Sequence, residues 1–478
     1  MTEKVELAVV GAGPAGMEAA IAAADSGVQV VLIDSHPRPG GQYFKQLPQA
    51  FAGQADTTHH QEAWSLLHQL ETPRVRLLTG TTVWGAFHVP NAEEWLLTLY
   101  GPGAPYRLQA KALILATGAY DRPIPFPGWT LPGVMTAGAA QTLLKNQRVL
   151  PGRRILLSGS GPLQFAVAAQ LTQAGADVAG IVEGASVPVW QGLRQALAWW
   201  GQWARLREAW AYWRSLQRAR VPIYSGWSVV EARGDGVLEE VVIARLNANW
   251  QPLPASRQTF SVDTLLIGYG FVPAIELGRL LGCEHDYEPR RGGYVPRRDC
   301  QMQTSLPGVY AAGDGAGIGG VALSRIEGRI AGVAAARHLG RLDQGVAQSL
   351  LAGQQPALNR EQRFVRMLGD LFTPGPGLYT LATDDTLICR CEEVSLAEIR
   401  DAVASGARTV TEIKGLTRAG MGNCQGRICG EFVARTIVNE RKTPGELSKR
   451  IEAAGFFTAR PPIHPLPLSV LAEAVDTA

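Results

Sequence analysis

Apolar and polar positions fall into short blocks whose order repeats. Residues 5–10 (VELAVV) form an apolar run of strand length, and 11–16 (GAGPAG) form a glycine turn. Residues 17–27 (MEAAIAAADSG) read as a small-residue helix closed by Gly27, and 28–34 (VQVVLID) as a second apolar run. Residues 153–183 follow the same plan: RRILLSG, a turn at SGP, a helix LQFAVAAQLTQAG closed by Gly175, then ADVAGIVE. Two strand–helix–strand starts in one chain predict an α/β protein with a duplicated architecture. Residues 187–220 read as helix dense in Trp and Arg. Residues 341–385, with TPGPG at 373–377, read as a linker, 386–440 as a compact cysteine-bearing segment, and 441–478 as a tail ending in ARPPIHPLPL.

The 478 residues suffice for about three domains. Hydrophobic residues make up 46% and charged residues 18%, which excludes global disorder. Net charge is only +3, and the basic residues, nearly all Arg, are scattered, so no nucleic-acid partner is expected. No apolar run has the length of a membrane span, and the start MTEKVELAVVGAG leaves no room for a signal peptide. A cytoplasmic location is therefore expected. Four of the six cysteines lie between Cys389 and Cys429, and such clustering in a reducing compartment points to a metal or redox site.

Gly11, Gly13 and Gly16 stand between a buried strand and a helix. They supply in turn a tight turn, backbone approach to a pyrophosphate, and close packing of helix on strand. The helix start at Pro14 and Ala15 offers free backbone N–H groups, beginning with that of Ala15, to phosphate. Asp34, 23 residues after Gly11, ends the second strand, where a carboxylate accepts from ribose hydroxyls. In the second turn Gly159 and Gly161 repeat the pattern, but Gln164 takes the third glycine position. Glutamine there either pushes the helix away from the strand or reaches across the turn. Glu183 favours NAD over NADP, and the shell binds NAD, another adenine nucleotide, or nothing.

Cys389-Arg-Cys391 is followed by 32 residues and then Cys424-x4-Cys429. Four thiolates can enclose zinc or a [2Fe–2S] cluster. Ser395-x-x-Glu398 and Thr409-x-x-Glu412 are capping-box signatures, so a short helix should begin at each. Cys429 precedes a helix whose N-terminal dipole favours a thiolate. Cys283 and Cys300 are expected to be buried small residues, and His59-His60 to sit in a solvated polar loop. Trp199, Trp203, Leu206, Trp210 and Trp213 share one helical face, which suits core packing, a subunit interface or a membrane surface.

KALILATGAY (111–120), ending in Ala116-Thr117-Gly118, TSLPGVYAAGD (304–314), ending in Gly313-Asp314, GYGFVP (268–273) and PGGQ (39–42) together resemble the two-dinucleotide-binding-domain flavoproteins related to thioredoxin reductase. The resemblance covers about 1–340. It implies FAD on the first fold, held by the glycine turn with Asp34, Ser35, Gly41, Gln42, Val83, the Ala116–Gly118 segment and Gly313, and with Asp314 on the ribityl chain. No C-x-x-C pair lies in the second fold, so disulfide reduction is not expected. The cysteine segment resembles the bacterioferritin-associated-ferredoxin-like [2Fe–2S] domain, which implies Cys389, Cys391, Cys424 and Cys429 as ligands.

With ATGAYDRPIPFPGW (116–129) and the proline-rich tail, the full chain is similar to the larger flavoprotein subunits of opine oxidases, hydroxyproline dehydrogenases and hydrogen cyanide synthase. The expected fold class is α/β: two Rossmann-like domains, the FAD domain discontinuous, plus a small helical [2Fe–2S] domain. Expected boundaries are 1–120 and 256–340 (FAD), 121–255 (second Rossmann-like domain with the Trp-rich helix), 341–385 (linker), 386–440 ([2Fe–2S]) and 441–478 (tail). The resemblance implies an electron-transferring subunit with no catalytic acid or base of its own. Amine oxidation would occur in a D-amino-acid-oxidase-like FAD partner. Further partners would be a small [2Fe–2S] protein of ferredoxin type and, by peripheral contact, a membrane or quinone. Two rivals remain: a stand-alone NADH-dependent reductase feeding its own cluster, and a non-catalytic scaffold clipped by zinc.

Overall fold

The computed structural model describes residues 2–46, 58–104, 106–186, 196–442 and 444–475. Two compact units divide the chain, and each is assembled from separated segments. The first contains Met1–Tyr120, Val272–Val365 and Thr458–Ala478. Its seven-stranded sheet has a parallel heart, in which strands Val75–Leu78, Val30–Ile33, Thr2–Val10 and Arg107–Leu115 lie side by side. Strand Arg107–Leu115 serves two neighbours. Its first half pairs antiparallel with Trp95–Tyr100, and its last three residues pair parallel with Val309–Ala311. Val10 is in register with both Ile33 and Leu115, and Ala311 with Leu115. Four strands therefore end along one edge, where open α/β sheets bind ligands.

Apolar clusters cover both faces of this sheet. One joins Leu7, Val9 and Ile114 to helices Pro14–Asp25 and Gly320–His338. Those helices approach closely because their facing residues are small: a Cβ on Gly328 would stand 2.0 Å from the Ala15 carbonyl oxygen. Glu18, buried between them, accepts from Arg325 and Arg329. The other cluster joins Val10, Val83, Leu97 and Leu113, and Ile463 of the tail enters it. The Ile463 amide donates to the Trp84 carbonyl at 2.9 Å.

The second unit contains Asp121–Phe271 and Arg366–Phe457. Its five-stranded parallel sheet runs Ile223–Ser225, Asp177–Glu183, Arg154–Gly159, Thr264–Gly268, Val134–Thr136. Strand Thr264–Gly268 falls in this sheet, so the second fold extends to 271 rather than ending at 255. Helices Leu396–Ala404, Val410–Thr417 and Gly430–Arg441 build a small module in the same unit. Both capping boxes form as the sequence predicts, each with Ser395 or Thr409 bonded reciprocally to Glu398 or Glu412. Each is worth about 1 kcal/mol to a short helix.

Four local expectations change. Residues 344–372, read as linker, form the single helix Gln344–Phe372, with Pro356 inside it and with Ala347, Leu358 and Met367 buried. His59 and His60 stand in the first turn of helix Thr58–Leu70 rather than in a loop. Cys283 is buried as expected, but Cys300, among Arg298, Asp299 and Gln301, is exposed. Of the tryptophan face, Trp203, Trp210 and Trp213 are exposed, which removes the core-packing reading, while Trp190 and Arg194 lie outside the described residues.

Candidate functional site: two glycine turns and a thiol cluster

At the ligand edge of the first sheet, Gly11 turns the chain with φ +103°, and a Cβ there would meet the Ala116 carbonyl oxygen at 2.2 Å. Gly16 lies still closer, its missing Cβ 1.8 Å from the Gly11 carbonyl oxygen. Gly13 differs, because a Cβ there would meet only the Gly41 Cα, at 3.8 Å. It caps helix Pro14–Asp25 with no side-chain hydrogen bond, so the helix start presents backbone alone. That is the cradle a pyrophosphate takes. Asp34 is buried, and its carboxylate accepts from the Ala12 amide at 2.6 Å and the His36 amide at 2.7 Å. Ser35 follows it, exposed.

The PGGQ loop lies directly against this turn, since Gly40 donates to the Ala12 carbonyl and Gly41 faces Gly13. Gln42 is exposed beside it. Ala116 continues the sheet by donating to Val10, the Thr117 hydroxyl donates to the Ala274 carbonyl at 2.6 Å, and Gly118 has φ +72°. Gly313 donates to Glu327 and abuts Ala15. Asp314 accepts from the Gly319 and Gly320 amides, both at 2.9 Å, and burial raises its pKa. Val83 sits in the core beneath the sheet, two residues beyond Thr81, whose amide donates to the Asp34 carbonyl. Apart from Val83, the predicted residues of the first site thus converge on one edge.

At the second turn the predicted residues also meet, with a different outcome. Gln164 reaches across and donates to the Glu183 carboxylate, which also accepts from the Gly161 amide at 3.0 Å and the Ala185 amide at 2.8 Å. Glu183 is so deeply buried that its pKa is pushed up to about 7. The position equivalent to the open Gly13 is Gly161, and here Phe372 is packed against it, its Cβ 3.7 Å from where a Gly161 Cβ would stand. The Ser160 hydroxyl fixes that neighbour by donating to the Phe372 carbonyl at 2.9 Å.

The four clustered cysteines come together as two pairs, Cys389 with Cys429 and Cys391 with Cys424. A [2Fe–2S] cluster takes four thiolates, two on each iron. The donors also suit an anionic cluster. The Gly420 amide donates to the Cys389 sulfur at 3.4 Å, and the Gly426 and Ile428 amides bond to Cys424. Hydrogen bonding from Cys429, then from the Gly420, Glu392 and Cys391 amides, pulls the Cys389 thiol down to about 6, while its pairing with Cys389 and burial push Cys429 well up. Cys391 is exposed, so one edge of the set faces solvent.

Residues outside the glycine and cysteine motifs bind this module to the second Rossmann fold. Trp129 Nε1 donates to the Leu387 carbonyl at 2.7 Å, two residues before Cys389, and Arg390 lies 6.0 Å over the Trp129 ring. Arg122 meets Glu431 at 3.2 Å. Glu431, two residues beyond Cys429, also accepts from Arg435, and Arg435 stacks 3.8 Å from the Tyr379 ring. Sequence reasoning missed these anchors. Arg122 and Trp129 both belong to the 116–129 motif, which was the available signal.

Comparison with known proteins accords with this arrangement. Residues 5–340 match the pyridine nucleotide-disulphide oxidoreductase family, and 387–438 match the BFD-like [2Fe–2S] binding domain. The chain belongs to the pyridine nucleotide-disulphide oxidoreductase family. It is an oxidoreductase with a thioredoxin-reductase-like fold, carrying FAD and a [2Fe–2S] cluster, and it is one component of a multi-subunit dehydrogenase. It is 34% identical over 468 residues to the HcnB subunit of hydrogen cyanide synthase from Pseudomonas aeruginosa, covering 96% of this chain and 97% of that one. It is 33% identical to an opine oxidase subunit of Rhizobium meliloti, covering 98% of each. L-proline dehydrogenase from P. horikoshii shares the fold with a TM-score of 0.69 at 22% identity, covering 98% of this chain and 80% of that one. No helix among the described residues is long and apolar enough to cross a membrane.

Proposed function

We propose that this chain is an electron relay within its dehydrogenase, working in the cytoplasm. An amino acid or opine-type secondary amine is oxidised at its CH–NH bond in a D-amino-acid-oxidase-like FAD partner. The electrons leave through this chain, to a small ferredoxin-like [2Fe–2S] protein or a quinone. Kinship with opine oxidase and hydrogen cyanide synthase supports an amine substrate. When bound, FAD supplies the exchange between two-electron and one-electron chemistry, and the cluster carries single electrons. The chain's own residues position: the first glycine turn and Asp34 orient the flavin nucleotide, Asp314 anchors its ribityl chain, and Cys389, Cys391, Cys424 and Cys429 hold the cluster.

The observation that carries this reading over an NADH-dependent reductase is Gln164 bonded to Glu183, the acid that would receive the ribose, with Phe372 in van der Waals contact beside Gly161. The test is anaerobic mixing of the purified complex with NADH and, separately, with candidate amines. The flavin should bleach with an amine only when the partner subunit is present, and stay oxidised with micromolar NADH. Rapid bleaching by NADH of this chain alone overturns the proposal.

A further inference from the structure

Helix Gly320–His338 brings Glu327 and Gly328 to the place where the two flavin-holding segments of the first unit meet. Gly328 lies against the first segment. A Cβ there would stand 2.0 Å from the carbonyl oxygen of Ala15, at the start of the helix that offers its amides to a pyrophosphate. Glu327 reaches the second segment. Its side chain is 1% exposed, and its carboxylate accepts from the Gly313 amide at 2.9 Å, one residue before Asp314. Gly313 is itself pressed on Ala15, with φ +75° and a missing Cβ 2.7 Å from the Ala15 Cβ. The two segments therefore stand as close as backbone allows, and Glu327 is the side chain that ties them.

Arg298 completes the arrangement. Its guanidinium donates to both Glu327 oxygens, at 2.9 and 2.5 Å, and to the Ala311 carbonyl at 2.9 Å. One ionised carboxylate has acceptor sites enough for the Gly313 amide and a bidentate guanidinium together. The far end of the turn is held separately. Arg291 donates to the Ala316 carbonyl at 2.7 Å, and its own carbonyl accepts from the Ile318 amide at 2.9 Å. Asp314 stands between the two holds.

We infer that Glu327 is a positioning residue for the flavin: its carboxylate sets the spacing between the pyrophosphate turn and the Asp314 carboxylate. The inference rests on the assignment of Asp314 to the ribityl chain. A dinucleotide gripped at two points is held well only when the grips match its length. A supporting shell that fixes them in advance removes the cost of ordering them on binding. Arg298 serves that shell by keeping the Glu327 charge paired in a buried place.

The test uses the purified, flavin-loaded full chain. Flavin release on dilution, followed by recovery of flavin fluorescence, gives the affinity, and visible circular dichroism reports the surroundings of the bound ring system. Glu327→Asp keeps the charge that Arg298 needs but draws the acceptor back from Gly313 by one methylene. It should fold, bind flavin about tenfold more weakly, and change the visible dichroism. Glu327→Gln with Arg298→Gln removes both charges but keeps the side-chain length and an amide oxygen for Gly313. This pair should bind within about threefold of wild type and give the wild-type spectrum. Wild-type affinity and spectrum in Glu327→Asp overturn the inference, as does a loss in the glutamine pair as large as the one expected of Glu327→Asp. Either variant decides by itself if the other fails to fold. Asp314→Ala separates the inference from the assignment beneath it. If Asp314→Ala binds flavin as wild type does, that assignment falls and the inference with it; if it weakens binding while Glu327→Asp does not, the inference alone falls.

Discussion

The Arg122 guanidinium and the Glu431 carboxylate meet at 3.2 Å in a buried setting, although 309 residues separate them in sequence. Glu431 stands in the first turn of the helix that Cys429 caps, so this pair fixes the last ligand of the cluster set to the fold that carries Arg122. Removing one member of a buried pair costs about 3 kcal/mol or more, and because Glu431 keeps Arg435 as a second partner the loss stays near the lower figure. Arg122→Met should lower the melting temperature of the second unit by roughly 6–12 °C. Trp129→Phe removes one hydrogen bond and should cost only about 1 kcal/mol. Thermal unfolding of both variants checks the order, and a larger loss for Trp129→Phe would show that the ion pair is not the main anchor.

The glycines of the first turn should separate folding from flavin binding. Gly13 has room for a side chain within the protein, so Gly13→Val should fold, give a normal circular dichroism spectrum, and retain no flavin. Gly16→Val would drive carbon into the Gly11 carbonyl and should fail to fold. Asp314→Ala should weaken flavin retention by about 1.5–3 kcal/mol without abolishing it. Recovery of Gly13→Val with full flavin content would remove the turn from the site.

Cys424→Ser should lose the cluster and keep FAD, because the thiols and the first glycine turn belong to different compact units. Iron content and the paramagnetic signal after reduction measure the first, and flavin absorbance the second. Cys300→Ser, at an exposed position outside the set, should change neither. A serine variant at 424 with stoichiometric iron would show that the ligand assignment is wrong.

Glu183 gives the second fold a pH dependence of unusual sign. Burial raises its acid from the ordinary 4.5 to about 7, so the native state holds the proton more tightly than the unfolded chain does. The contribution is therefore fully present below about pH 4.5 and is lost as pH rises through about 7, to an extent of about 3 kcal/mol. Glu183→Gln should abolish this slope. The melting temperature of the variant minus that of wild type should grow between pH 5 and pH 7.5, and a constant difference across that range would mean that Glu183 is ionised throughout.

The first fold was legible because each of its signals is local. A buried strand, a glycine turn, a helix and an acid at the second strand's end all lie within Val5–Asp34, and the register of the sheet then gathers the remaining segments. The capping boxes at Ser395 and Thr409 were legible for the same reason. Helix Gln344–Phe372 was not, because Pro356 and the TPGPG run mimic a linker, while tertiary burial of Leu358 and Met367 overrides the cost of an interior proline. The placement of Phe372 on Gly161 joins positions 211 residues apart, and no local pattern encodes such a meeting. Gln164 was visible as an anomaly, and only its hydrogen bond to Glu183 shows which of its two readings holds.

Ile463 in the core beneath strand Thr82–His88 bears on how the chain matures. Synthesis passes through the first unit, the second, the first again, the second again, and finally back to the first with residues 458–478. The first unit cannot complete its interior until residues 458–478 emerge, so the earliest-made sheet finishes folding only after both segments of the second unit have been made. A stop codon shortly before Ile463 would leave the earliest-made sheet, rather than the segment it truncates, with a gap in its core.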